Sequence, residues 1–139
     1  MASCLLGSTL FSKAITTVRA PTIAFSVTGL AAAAMAAAAY CSSLSSPPLL
    51  ALVGSLFLFE ATVGVYFPTI GTLRSKYLPD SHRSVIHNIF GIPLNLLVVG
   101  VFLNISKLGT TGALGISSAA LGLAAAAALA LDRLCKNDE

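Results

Sequence analysis

The chain predicts an all-α membrane protein, with four transmembrane helices preceded by a partial N-terminal helix. Three observations carry this. Of its 139 residues 56% are hydrophobic and only 9% charged, whereas soluble domains are charged at about a quarter of their positions. Mean hydropathy is +0.90. The apolar residues also gather into four runs, about 21–44, 47–71, 85–105 and 109–131, each close to the roughly twenty residues that a helix rising about 1.5 Å per residue needs to cross a bilayer.

The first run, Pro21 to Leu44, is uncharged and contains AAAAMAAAA. The second begins at Pro47 and Pro48, which suit a helical first turn where a missing N–H is harmless. It is apolar apart from Glu60. The third, Val85 to Ile105, carries asparagines, and the fourth, Gly109 to Leu131, is again alanine-rich. LPDS at 78–81 and KLGTTG at 107–112 mark turns. Alanine favours helix but adds little transfer energy, so these spans gain chiefly from close packing. Ser118, Gly122 and Ala126, four residues apart, form a small-residue face on which a neighbouring backbone could rest; compositional drift toward alanine is the plain alternative.

Charge sets orientation. Lys13, Arg19, Arg74, Lys76, Arg83, Arg133 and Lys136 fall on one side of the four-span scheme and Lys107 alone on the other. Positive residues stay inside, so both termini are expected in the cytoplasm, in a multi-pass protein of the cell membrane. The first twenty residues also have the Ser, Thr, Lys and Arg content of an organelle transit peptide. Alternatively, MASCLLGSTLF is the last turns of a membrane helix entering a basic loop.

Several classes are excluded. Cys4, Cys41 and Cys135 lack disulfide or zinc spacing, and they read as small apolar fillers. No metal or cofactor is indicated. The basic residues are too sparse for nucleic acid. There is no nucleophile elbow, HExxH or Walker glycine loop, so no enzyme is expected.

Glu60 is the residue that most needs explaining. It stands about a dozen residues from either end of its span, too deep for a carboxylate to reach the surface, so it should face other helices or a water-filled cavity. Gly64, Phe67 and Pro68 follow on the same side, with Pro68 favouring a kink. A proton-coupling or gating carboxylate and a structural hydrogen-bond acceptor are the two readings. On the third span Asn88, Gly91 and Asn95 lie one above another, bordered by His87. Asparagine amides could donate to an oxyanion or tie helices together, and Gly91 allows close approach. Arg74, Lys76 and Arg83 belong to the cytoplasmic connection after span two, as topogenic anchors or a gating ion pair, with lipid phosphate as a further partner.

LLGSTLF, FEATVGVYFPTIGTLRSKYLP and HNIFGIPLN, in that order, resemble the C-terminal part of the molybdate-anion transporter family of the major facilitator superfamily. The resemblance covers nearly all of this chain and about a third of a family member. It implies that residues 1–12 match the end of helix eight and the four spans match helices nine to twelve, part of the C-terminal half. It further implies transport of a small anion such as molybdate, in a complete protein that includes the N-terminal half or a complementary chain. Transport or coupling would fall to Glu60, Asn88 and Asn95. The family pattern NxFRxPL has an arginine where this chain has Gly91, so another solute, anion binding through residues elsewhere, and a degenerate copy all stand open. A small four-helix membrane scaffold or assembly protein without transport activity is the alternative of a different class.

Overall fold

A computed structural model describes residues 2–46 and 48–137 and shows helices throughout: α1 (Ala2–Ala14), α2 (Ala20–Ser43), α3 (Leu49–Tyr77), α4 (Asp80–Leu103) and α5 (Ile105–Asn137). Among the described residues, three helices are long and apolar enough to cross a membrane, Ala20–Ser43, Leu49–Tyr77 and Ile105–Lys136.

Local signals account for the helix ends. Arg19 is extended ahead of α2 and Pro21 occupies its first turn; Pro48 caps α3 in an extended conformation. Pro47, expected to open the same helix, lies outside the described residues. At the other end of α3, Leu78 is extended because Pro79 follows it and disfavours helical geometry in the residue before. Asn104 closes α4, its Nδ2 donating to Gly100 O at 2.9 Å.

Two boundaries differ from the sequence expectation. The second helix does not stop near residue 71 but continues to Tyr77, so Arg74 and Lys76 form its last turn rather than a loop. Lysine and arginine are good helix formers, and cations are favoured at the negative end of the helix dipole. Position 83 falls within the first turns of α4, although the Arg83 side chain lies outside the described residues. The connection shrinks to Leu78 and Pro79. The turn expected over 107–112 is likewise reduced to a break at Gly109, with φ 65° and ψ 176° inside α5. Only glycine enters that region at little cost, which is why the chain bends there and nowhere beside it.

Helix α2 is the centre of the bundle and packs along both α5 and α3, while α1 packs on α3. Half of its ten buried positions are alanine, Ala20, Ala24, Ala31, Ala34 and Ala38, with Ala38 fully enclosed. Small side chains let the backbones approach, which is how alanine-rich helices gain packing without large apolar groups. Helices α2 and α5 run antiparallel, held at one end by Arg19 Nη2 donating to Cys135 O (2.9 Å) and Thr22 Oγ1 donating to Asp132 Oδ1 (2.6 Å). Ser118 Oγ donates to Ala32 O (3.1 Å) midway, and the Ser42 and Thr111 hydroxyls meet at 3.0 Å at the other end.

The small face of α5 is not the one expected. Ser118 is at the interface, but Gly122 and Ala126 are exposed and Ala125 is buried. A four-residue step overshoots one turn by about 40°, so a strict i+4 row winds off the contact line. A seven-residue step falls only about 20° short of two turns, and 118, 125 and 132 therefore stay on α2.

Helix α4 stands apart. It adjoins chiefly α5, where Gly100, Val101 and Asn104 border a recess with Lys107, Leu108 and Ile116. Ile89, Ile92, Leu96 and Phe102 are exposed.

Candidate functional site

Helix α3 presents three sides. One, with Ala61 and Gly64, is covered by α1. Gly7 sits so close that a Cβ there would run into the Ala61 carbonyl oxygen and come within 3.0 Å of Gly64 Cα. A second, with Thr62, Thr69 and Leu73, is buried, and Leu73 meets Ala20 and Ala24 of α2. The third side holds Glu60.

Glu60 is half-buried and borders a surface recess of about 230 Å³ with Val53, Leu56 and Phe57. Val53 and Leu56 are exposed, as is Phe67, seven residues on. Gly64 and Pro68 turn instead toward the α1 side, because four-residue steps rotate away from Glu60 while the seven-residue step does not. Of the four residues expected on one side, Gly64 is buried under α1, Glu60 and Pro68 are half-buried, and Phe67 is exposed, so α1 covers only one edge of that face. Helix α3 runs through Pro68 without interruption. Proline offers no N–H to the carbonyl four residues back, here Gly64, whose backbone lies under α1. Thr69 and Thr72 hydroxyls return to the carbonyls of Val65 and Pro68 at 2.7 and 2.9 Å.

Asn88 and Asn95 are both exposed on α4. Among the described residues nothing lies within 4 Å of a Cβ built at Gly91, so the close approach expected there is absent. The reason is the placement of α4, which leaves no neighbouring backbone beside that glycine. The His87 side chain lies outside the described residues, and so does that of Cys4. The structure thus does not bring the asparagines onto the face that holds Glu60.

Charge is sorted along the bundle. The C-terminal ends of α1, α3 and α5 and the N-terminal ends of α2 and α4 coincide, as the Arg19–Cys135 bond, the Cys135–Tyr77 contact and the packing of Ile15 on Ala20 and Leu73 show. Seven of the eight basic residues therefore lie at one end. Sequence reading did not anticipate the polar lock at this end. Cys135, read there as an apolar filler, donates from Sγ to the Tyr77 hydroxyl at 3.3 Å, and Lys76 Nζ lies 5.4 Å from the centre of the Tyr77 ring. Cys41, by contrast, is buried among the alanines.

No family model matches this chain, and no solved structure matches it at a significant level.

A groove between α3 and α5, floored by α2, completes the surface. Its upper part, about 270 Å³, is lined by residues including Val27, Phe59, Val63, Phe67 and Leu121. Its lower part, about 280 Å³, runs past Ile70, Leu73 and Leu131 toward the basic end, and the two share Thr28, Tyr66 and Ala124. Among the described residues none that lines it is charged.

Proposed function

We propose that this chain is a membrane-spanning piece of a multi-pass transporter, with α2, α3, α4 and α5 as four spans and both termini in the cytoplasm of a cell-membrane protein. The observation that carries it is Glu60. It is the only acid in α2, α3 and the apolar stretch of α5 up to Leu131, and it sits on a side of α3 where Val53, Leu56, Phe57 and Phe67 are exposed. An acid held near the middle of an apolar helix is costly and is kept where it pairs or carries ions and protons. On that face Glu60 would meet the remainder of a larger assembly, an N-terminal half or a complementary chain.

The solute proposed is a small oxyanion such as molybdate, on the resemblance of residues 60–95 to that family. Glu60 would repel an anion, so its role is coupling or gating, and Asn88 and Asn95 supply uncharged donors. In the assembled protein α4 would close toward α3. Gly91 replaces the family's arginine, so an oxyanion would need further donors from outside this chain.

A second reading is favoured by the exposed apolar length of α4. A small helical membrane scaffold would use such a helix to hold partner proteins, and would transport nothing.

Uptake of labelled molybdate in cells expressing the complete assembly separates these. Glu60→Gln keeps shape and removes the exchangeable charge, so it should preserve membrane expression and abolish or uncouple uptake. Wild-type uptake with unchanged pH dependence in that variant would end the coupling role. Uptake at background in every form would leave the scaffold.

A further inference from the structure

We infer that the groove between α3 and α5 binds one acyl chain of an anionic phospholipid, whose phosphate is held at the basic end by Arg19 and Lys76. The inference rests on the membrane reading alone and is independent of transport.

The lining selects the occupant. The hydroxyls of Thr28 and Thr62 donate to their own helix carbonyls, Ala24 O at 2.7 Å and Phe59 O at 2.6 Å. They leave Val27, Val63, Ile70, Leu121 and Leu131 to define a dry wall. A polar solute would lose its hydration there and gain few partners, whereas an alkyl chain loses nothing. The groove runs from Phe59 to Leu73, fourteen residues of helix or about 21 Å. Half of a hydrocarbon core is about 15 Å, so one chain of the nearer leaflet can lie along it.

The end of the groove supplies the charge. Tyr77 of α3 and Cys135 of α5 meet across it at 3.3 Å. Two cations are fixed to that bridge, Arg19 through its bond to Cys135 O and Lys76 over the Tyr77 ring. Arg74, Arg133 and Lys136 are exposed at the same level. The Asp132 carboxylate, which accepts from Thr22, stands at this end too, and the five cations Arg19, Arg74, Lys76, Arg133 and Lys136 outnumber it, so an apolar slot ending there matches an anionic lipid better than a zwitterionic one.

The chain has no tryptophan, so single reporters can be introduced. Tyr66→Trp would report the groove, and Leu123→Trp, at a side chain 75% exposed, the outer face of α5. Each is reconstituted in phosphatidylcholine vesicles containing a minor share of brominated phosphatidylglycerol or, in parallel, brominated phosphatidylcholine. At Tyr66→Trp the anionic probe should be enriched roughly fivefold, the scale of one well-placed cation, while Leu123→Trp should be quenched equally by both. Arg19→Gln with Lys76→Gln should lower the preference more than Arg133→Gln with Lys136→Gln does, and Arg19→Lys with Lys76→Arg should restore it. Equal quenching at Tyr66→Trp, or a preference as large after loss of Arg19 and Lys76 as after loss of Arg133 and Lys136, overturns the inference. So does a Tyr66→Trp signal untouched by either probe while Leu123→Trp is quenched, which would mean a protein segment fills the groove. If Leu123→Trp is untouched as well, the membrane reading itself fails.

Discussion

Gly7 of α1 crosses Gly64 of α3 so closely that a single methyl at Gly7 would reach within 3.0 Å of the Gly64 Cα. Backbone, not a flexible side chain, stands in the way, so neither helix can yield without separating. Replacing Gly7 by alanine should therefore cost about 1–3 kcal/mol, as overpacking does elsewhere. Gly122→Ala, where nothing lies within 4 Å of the new methyl, should be neutral or stabilise by up to about 1 kcal/mol through helix propensity. Thermal unfolding of the two variants in the same detergent checks the contrast, and equal midpoints would mean that α1 does not rest on α3.

The helical class and the break before Pro79 were legible because they depend on composition and on neighbours in sequence. Gly7 was not. A lone glycine in a thirteen-residue helix carries no periodic signal, and its partner lies on another element. Glu60 could be singled out from the sequence because an acid in an apolar run is anomalous wherever the helix turns, but which side of α3 it shares depends on how α1 and α2 cover the other two. The stripe of Asn88 and Asn95 follows from periodicity, whereas the distance of α4 from α3 is a tertiary fact that no spacing encodes. The lock of Tyr77, Cys135 and Arg19 joins residues more than fifty positions apart, and none is unusual in its own segment.

The corrected face of α5 gives a second test. Ala125→Leu would thrust a large side chain into a position 8% exposed and should destabilise by about 1–3 kcal/mol. Ala126→Leu, one residue along and exposed, should change stability by no more than about 0.5 kcal/mol. Had the four-residue row been the interface, the order would be reversed. Unfolding midpoints of the pair decide it.

Orientation is open to labelling from either side of the membrane. With seven of eight cations at one end of the bundle, cysteines placed at Ser12 and Ser75 should be reached only from the cytoplasm, and cysteines at Ser45 and Thr110 only from outside. All four side chains are exposed, so failure to react reports sidedness and not burial. Native cysteines are first replaced by serine or alanine, which also removes the Cys135–Tyr77 contact, and a wild-type unfolding profile of that background keeps the test valid. Labelling of Ser75 from outside in intact cells would overturn the four-span arrangement.

The antiparallel pairing of α2 with α5 can be trapped covalently. The Ser42 hydroxyl of α2 and the Thr111 hydroxyl of α5 are 3.0 Å apart, and side chains whose first atoms beyond Cβ meet at that distance have their Cβ atoms close enough for a bridge after a small adjustment. Ser42→Cys with Thr111→Cys, in a background lacking the native cysteines, should close a disulfide under mild oxidation and shift mobility on a non-reducing gel. Ser42→Cys with Gly122→Cys should not, because the second position is eleven residues along and about 16 Å of helix away. Closing the bridge ties the ends of a loop of more than sixty residues, and removing that much freedom from the unfolded chain should stabilise by about 2–4 kcal/mol. The disulfide should form with equal yield in monomeric, dilute detergent solution. If it appears only as a linked dimer, the contact belongs to two copies of the chain, and α5 packs on α2 of a neighbour.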